Sequence, residues 1–210
     1  MKKPPILLVG AGGHARACID VIEHEARFTV AGLVGLHEEV GTQILGYPVL
    51  GTDEDLPALL RDCRHALVTL GQIKTPEKRI RLFNAIEQNN CTLPVVVSPG
   101  AHVSRHASLG AGSIVMHGAI VNAGATVGRN CIINSLALVE HDTAVGDHCH
   151  VSTAAVINGG ASVGAGTFIG SNSCIRDNIR IGDNCVIGMG QRVLANCAAG
   201  VWMPARKTRS

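Results

Sequence analysis

The chain has 210 residues, 18 Lys and Arg against 16 Asp and Glu, and a net charge of +2. With no basic run beyond Arg206-Lys207 there is no electrostatic footprint for nucleic acid or an anionic membrane surface, and no apolar stretch approaches the roughly 20 residues of a membrane span. Three Phe, one Tyr and one Trp exclude a core built on rings, and Lys2-Lys3-Pro4-Pro5 leads into a strand, not a signal-peptide apolar segment, so the expected compartment is the cytoplasm.

Ile6 to Val9 reads as a short buried strand, Gly10-Ala11-Gly12-Gly13 as a tight loop, and His14 to Glu25 as a helix with Ala15, Cys18, Ile19 and Ile22 on one face. Further on, strands are predicted over Phe28 to Val34, Ala66 to Leu70 and Leu93 to Val97, with an extended piece at Tyr47 to Leu50. Helices are predicted over Asp53 to Asp62 and Pro76 to Gln88. This alternation predicts a small parallel sheet covered by helices, a Rossmann-like α/β domain over residues 1–96.

A glycine loop that opens a helix presents backbone N–H groups and the positive end of the helix dipole, which suits a phosphate or diphosphate. Gly10, Gly12 and Ala15 fit G-x-G-x-x-[GA], a weak motif alone. A dinucleotide would want a carboxylate at the end of the second strand. There the chain has Gly35-Leu36-His37-Glu38-Glu39, and Glu38 is poorly placed for that role. Nucleotide-sugar binding is the leading reading, ahead of a domain kept for structure and of NAD binding.

From Val97 to Val193 every sixth residue is Val, Ile or Leu, and the residue two places earlier is small almost throughout, as in Ala101, Ala107, Ser113, Ala119, Ala125, Cys131 and Ala137. Glycine often follows the aliphatic, as at Gly110, Gly128, Gly146 and Gly164. Neither a helix nor a simple alternating strand gives a period of six. Each unit is therefore one short flat strand and a turn, and three units close a triangular coil, the hexapeptide β-helix. The repeat predicts a β-helix domain over residues 97–196 and a C-terminal tail over 197–210. Cys131, Cys149 and Cys185 occupy the small slot, which reads as structural reduced thiols.

Candidate chemistry lies where histidines interrupt the repeat. His141 follows Val139 by two, so it points away from the prism, and an eighteen-residue coil puts Ala123 below it and Gly159 above it at roughly 4.8 Å. A histidine beside Asp142, with open space alongside, is a minimal general-base kit. No cysteine falls beside His141, which argues against a thiol nucleophile. His102, His106 and His117 read as solvated. His148-Cys149-His150 with His141 and Asp147 supplies donors for a metal, but Cys149 falls on an inward slot and its neighbours do not, so no metal ligand is assigned.

The string Asn134-Ser135-Leu136-Ala137-Leu138-Val139-Glu140-His141-Asp142, followed by Gly146-Asp147, His150-Val151-Ser152 and Gly159, resembles the sialic acid O-acetyltransferase family of sugar O-acyltransferases. The opening Gly10-Ala11-Gly12-Gly13-His14 and the closing Pro204-Ala205-Arg206 share in that resemblance, which extends to bacterial UDP-4-amino-sugar N-acetyltransferases. It implies a left-handed β-helix, a homotrimer with sites between adjacent prisms, and acetyl-CoA as the acetyl donor. It also implies His141 as the base, Asp142 as its orienting carboxylate and His150 as a contact near the acetyl group. Gly159, Ser171 and Gly188 would line the acetyl-CoA groove. Asn134 would touch the sugar, and Gly10, Gly12, Gly13, His14 and Gly71 would face its nucleotide. Many relatives carry an Asp-Asp pair where this chain has Gly35-Leu36.

The expected function is therefore acetylation of an amino group on a nucleotide-linked sugar by direct transfer. O-acetylation of a sialic-acid-like or other surface-polysaccharide sugar is the alternative, and a non-catalytic solenoid or a metal-dependent β-helix hydratase the remote ones.

Overall fold

A computed structural model describes residues 3–205. It forms two compact units: one runs to Gly71 and resumes over Glu77–Pro99, and the other joins Gln72–Pro76 to everything from Gly100 onward.

In the first unit, β1 (Pro5–Val9), β2 (Thr29–Val34), β3 (Gln43–Ile44), β4 (Tyr47–Gly51) and β5 (Ala66–Val68) form one sheet in the order β3-β4-β2-β1-β5. All pairings are parallel except β3 with β4. Ile6, Leu7, Leu8 and Val9 are wholly buried, as a strand covered on both faces must be. Helix α1 (Gly13–Glu25) contributes the expected Ala15, Cys18, Ile19 and Ile22 to the core. A second cluster gathers Leu56 and Leu60 of α2 (Leu56–Asp62) with Leu82, Phe83 and Ile86 of α3 (Glu77–Gln88). At about 1.5–3 kcal/mol for each large side chain removed from water, these two layers supply the unit's main driving force.

The predicted Leu93–Val97 strand shortens to Val96–Val97, and three further differences from the sequence reading have a local reason. Helix α2 starts at Leu56 and not Asp53, because the Asp55 carboxylate accepts the Thr52 N–H (2.9 Å) and holds that turn out of the helix. Strand β5 stops at Val68, where Thr69 turns its hydroxyl onto the Gly10 carbonyl (2.7 Å). The β3–β4 hairpin went unanticipated because its two-residue turn is Leu45-Gly46, at φ 49° and 85°; Leu in a left-handed slot carries no turn signal.

The second unit is a parallel β-helix with three flat faces. Strand pairs Ile120–Val121, Leu138–Val139 and Val156–Ile157 stack on the first face; Thr126–Val127, Ala144–Val145 and Ser162–Val163 on the second; Ile132–Ile133, His150–Val151 and Phe168–Ile169 on the third. Val121, Val139 and Ile157 pair in succession, so the coil length is the eighteen residues of the repeat arithmetic. Both inward slots are filled: Val139 and Ile157 are wholly buried, and so are Ala119, Cys131, Ala137 and Ala155 two residues ahead of their aliphatics.

The corners hold a feature that the sequence pattern conceals. From Gly112 to Gly190 every sixth residue has positive φ, and the set includes Asn130, Leu136, Asp142, His148 and Ala154 as well as glycines. The glycines that directly follow the aliphatic are not in that set. Their role is spatial: a Cβ on Gly128 would lie 2.6 Å from the Asp147 nitrogen, and one on Gly164 2.5 Å from the Asp183 nitrogen, because the next coil passes directly over them.

The expected tail from residue 197 is, through its described part, more solenoid. Cys197 bridges Ile181, and Trp202–Met203 pairs with Val186–Ile187. Arg206 and Lys207 lie outside the described residues. Among those described, no helix is long and apolar enough to cross a membrane.

The two glycine classes predict opposite substitution effects. Ala154→Gly removes left-handed strain and should stabilise by about 0.5–1 kcal/mol. Gly164→Ala should destabilise by about 1–3 kcal/mol through overpacking. Denaturant midpoints for both variants check the assignment.

Candidate active site

The corner between the first and second faces carries Glu140, His141 and Asp142, continuing out of the Leu138–Val139 strand. The ladder holds their backbone: Glu140 N donates to Ile157 O (3.0 Å), Asp142 N to Ala123 O (3.1 Å), and Gly160 N to His141 O (3.0 Å). Asp142 occupies the positive-φ slot at 58°, one that Asp tolerates better than most residues. From there its Oδ2 meets His141 Nδ1 at 3.0 Å. A carboxylate only accepts, so Nδ1 carries the proton and Nε2 keeps its lone pair.

The ring itself lies in the predicted gap. A Cβ built on Gly159 would sit 2.5 Å from His141 Nε2, so the ring fills the space that any other residue at 159 would claim. Above the gap stand Asp177 and Asn178, linked by a 3.2 Å hydrogen bond, and Asn158 completes the lining of an open depression. Asn158 turns its amide to Ile175 O (2.6 Å) and Cys174 Sγ (3.3 Å) and leaves the shelf clear.

The electrostatics favour a strong base. The Asp142 hydrogen bond raises the His141 pKa above the ordinary 6.5; desolvation opposes it, and the Asp142 and Glu140 charges add smaller upward contributions. Glu140 is held low by the His141 N–H and by the Asn122 side chain, so it remains an anion. Nothing in the sequence reading signalled the part played by Asp177 and Asn178, which frame the gap from one coil above Gly159.

The other solenoid candidates lie elsewhere. Asn134, Ser171 and Gly188 follow third-face strands, at the corner leading to the first face. Ser171 shares a hydroxyl bond with Ser152 (2.9 Å), and Gly188 N donates to Met203 O (2.6 Å). His150 sits on the third face, 7% exposed, with Nε2 3.1 Å from Asn134 Nδ2. The donors of the metal alternative diverge. Cys149 is inside the prism with its thiol on Gly164 O (3.1 Å), His148 bonds Asn130 (3.0 Å), and His150 is buried on its face. Contact with Cys131 and burial push the Cys149 thiol well up, which makes it a poor nucleophile.

In the first unit, Gly10 is required by its fold: φ is +127° and a Cβ would meet Leu70 at 2.8 Å. Gly12 and Gly13 are not, since nothing lies within 4 Å of a Cβ on either. Helix α1 opens with no side-chain cap and no acidic residue in its first turn, so no carboxylate offsets the positive end of its dipole. His14 is half-buried there, with its Cβ 3.8 Å from a Cβ on Gly71. A pocket beside the loop is lined by Gly10, Gly12, Gly35, Leu36, Glu39, Asp53 and Lys78. Glu39, not the Glu38 weighed from sequence, reaches it, and its carboxylate accepts the Leu36 N–H at 2.8 Å. The three-residue spacing was the readable signal. Asp53 and Lys78 had none.

Residues 5–86 match the family model described as PglD N-terminal domain, and residues 160–190 match the bacterial transferase hexapeptide (six repeats). No curated protein matches the chain. Among solved structures, the chain is similar to PerB from Caulobacter crescentus, in complex with CoA and GDP-perosamine. The two share 31% identity, with a TM-score of 0.87 over 94% of this chain and 92% of that one. It is also similar to the acetyltransferase domain of PglB from Neisseria gonorrhoeae, in complex with acetyl coenzyme A, at 26% identity and a TM-score of 0.87 over 95% of each chain. WeeI from Acinetobacter baumannii, at 19% identity and a TM-score of 0.75 over 94% of this chain and 95% of that one, shares the fold. The architecture is thus a small α/β domain followed by a left-handed parallel β-helix.

Two outcomes follow from the His141 geometry. The raised pKa places the acid limb of the kcat/KM profile above pH 6.5, with activity lost as pH falls and the ring protonates, and Asp142→Asn should move that limb down. Gly159→Ala should lower kcat by about tenfold or more by displacing a ring it does not remove, since misplacement alone is costly; a fully active Gly159→Ala enzyme would show that the gap is irrelevant.

Proposed function

This chain belongs to the bacterial sugar acyltransferases of the hexapeptide β-helix type, and from that premise we propose that it moves the acetyl group of acetyl-CoA onto an amino group of a nucleotide-linked sugar, with His141 as general base. The observation that carries this reading is the His141 ring, laid against Gly159 with Nδ1 held by Asp142, so that the neutral ring keeps its lone pair on Nε2. His141 Nε2 takes a proton from the acceptor nitrogen as that nitrogen bonds to the thioester carbonyl carbon. The C–S bond then breaks and the departing thiolate receives the proton. Asp142 stabilises the imidazolium between the two transfers. No covalent enzyme intermediate is needed.

The acceptor's nucleotide fits the first unit. Gly12 and Gly13 are open where the protein itself does not require glycine, and the uncapped α1 N-terminus suits a diphosphate. The Caulobacter protein was crystallised with GDP-perosamine, which supports a nucleotide-linked acceptor here. His14, Gly71 and Gly10 border the same loop.

The placing of the candidate groups supports a homotrimer. Asn134, Ser171 and Gly188 occupy one corner, His141, Asp142 and Gly159 the next, and one prism face separates them by about 15–20 Å at strand rise. A single acetyl group cannot touch both sets. A second copy of the chain, laid along the first face, would bring its own corner to the His141 shelf. Ile120, Leu138 and Val156 point outward on that face and give it apolar surface to bury. His150, Gly159, Ser171 and Gly188 would then border the acetyl-CoA groove between two prisms.

The reaction is tested by thiol release from acetyl-CoA with GDP- and UDP-linked 4-amino sugars, free amino sugars and sialic acids. The proposal expects release only with a nucleotide-linked amine; selective turnover of a free hydroxyl acceptor would overturn it. Gly12→Val should raise the acceptor KM by tenfold or more and leave the acetyl-CoA KM unchanged. Mixed oligomers of His141→Ala and Asn134→Ala subunits should recover activity that neither variant has alone, since some interfaces are then intact; a monomer with full activity contradicts the trimer.

A further inference from the structure

We propose that Gln72 is a positioning residue that locks His150 in one neutral tautomer and, through it, aims the Asn134 amide at the reacting groups. The inference rests on the acyl-transfer reading, and nothing in that reading requires Gln72.

The segment Gln72–Pro76 leaves the first unit's chain to pack as part of the solenoid. Its anchor is the Gln72 side chain, 3% exposed, whose Nε2 donates to Gly166 O at 3.0 Å. Gly166 occupies one of the positive-φ corner slots. Its φ is +70°, and a Cβ there would press on Pro76 at 3.1 Å. The other side-chain atom, Gln72 Oε1, is buried with no hydrogen-bond partner. An apolar side chain would avoid that cost, so the value of Gln at this position lies in its donor.

The anchored segment presents the Gln72 backbone carbonyl to His150 Nδ1 at 2.7 Å. A carbonyl only accepts, so Nδ1 must carry the proton. The opposite edge gives the same answer independently. Asn134 Oδ1 accepts the Ser135 N–H at 2.8 Å, which tells the amide oxygen from its nitrogen and leaves Nδ2 to meet His150 Nε2 at 3.1 Å, the second bond that holds the amide. Nδ2 only donates, so Nε2 must accept. A protonated ring would set two donors against each other. The Phe168 edge, with ring centroids 5.2 Å apart, holds the plane.

His150 therefore has no ring N–H to offer an acetyl oxygen. The donor at this corner is the second Nδ2–H of Asn134, oriented by a chain that runs from Gly166 through Gln72 and His150.

The test combines ¹⁵N ring shifts of His150 in histidine-labelled protein, assigned by difference against His150→Gln, with steady-state kinetics. The wild type should show a pyrrole-type Nδ1 and a pyridine-type Nε2. Gln72→Met, which keeps volume and loses the donor, should lose that pure tautomer. Its kcat should fall roughly tenfold, the scale of a lost supporting hydrogen bond, with the acetyl-CoA KM within twofold. An Nε2–H ring in the wild type overturns the proposal, and so does a Gln72→Met protein with unchanged shifts or unchanged kcat. Should Gln72→Met not fold, Asn134→Asp puts an acceptor against Nε2 while the Gln72 carbonyl still faces Nδ1, so the ring must carry a proton on both nitrogens; a ring with a pyridine-type Nδ1 overturns the proposal. Failure of the wild type to release thiol with any acceptor would strike the acyl-transfer reading alone, because the tautomer is read without turnover.

Discussion

The eighteen-residue backbone ladder is the constraint on which the rest depends. Each coil hydrogen-bonds to the next through the same positions, so a side chain's neighbours are fixed by addition: Gly160 N meets His141 O, and Gly159 lies over the His141 ring. A flexible loop could not hold a base this way. Here the ring sits against the backbone of the coil above, and the hydrogen bond from Nδ1 to Asp142 leaves Nε2 as the only free ring nitrogen. The ladder thus sets geometry and tautomer together, the two requirements of a general base.

On the proposed reading, the same register leaves the site incomplete within one chain. A solenoid repeats its corners but never brings two of them together, so groups on different corners converge only if another prism supplies one set. Catalysis and assembly are coupled in the proposed account for this reason. The α/β unit has a simpler task. Its glycine loop and bare helix end offer N–H groups to an anion, and Glu39, Asp53 and Lys78 border the pocket beside it.

Much of this was legible in the sequence because the period of six has one structural solution. The inward aliphatics, the small slots and the His141–Gly159 stacking all followed from counting. What counting missed had other physical origins. The left-handed corner slot is hidden because Leu136, His148 and Ala154 fill it as well as Gly and Asn. The reason for the glycines after each aliphatic is equally hidden, because they answer to the thickness of the next coil. The Leu45-Gly46 turn and the Asp55 cap are single local interactions without periodicity. Gln72 could not be found at all, since it acts across 78 residues of chain on His150. Such contacts exist only once the fold is made.

The central claim is that repeat register builds a general base at His141, and the most direct measurement compares kcat for His141→Ala and Asp142→Asn in the assembled protein. The account predicts that His141→Ala loses about 10² to 10⁴ in kcat, the usual worth of a general base, with the acetyl-CoA KM nearly constant. Asp142→Asn should lose less, because an amide orients the ring without stabilising its charge. A folded His141→Ala protein that retains wild-type kcat would contradict it.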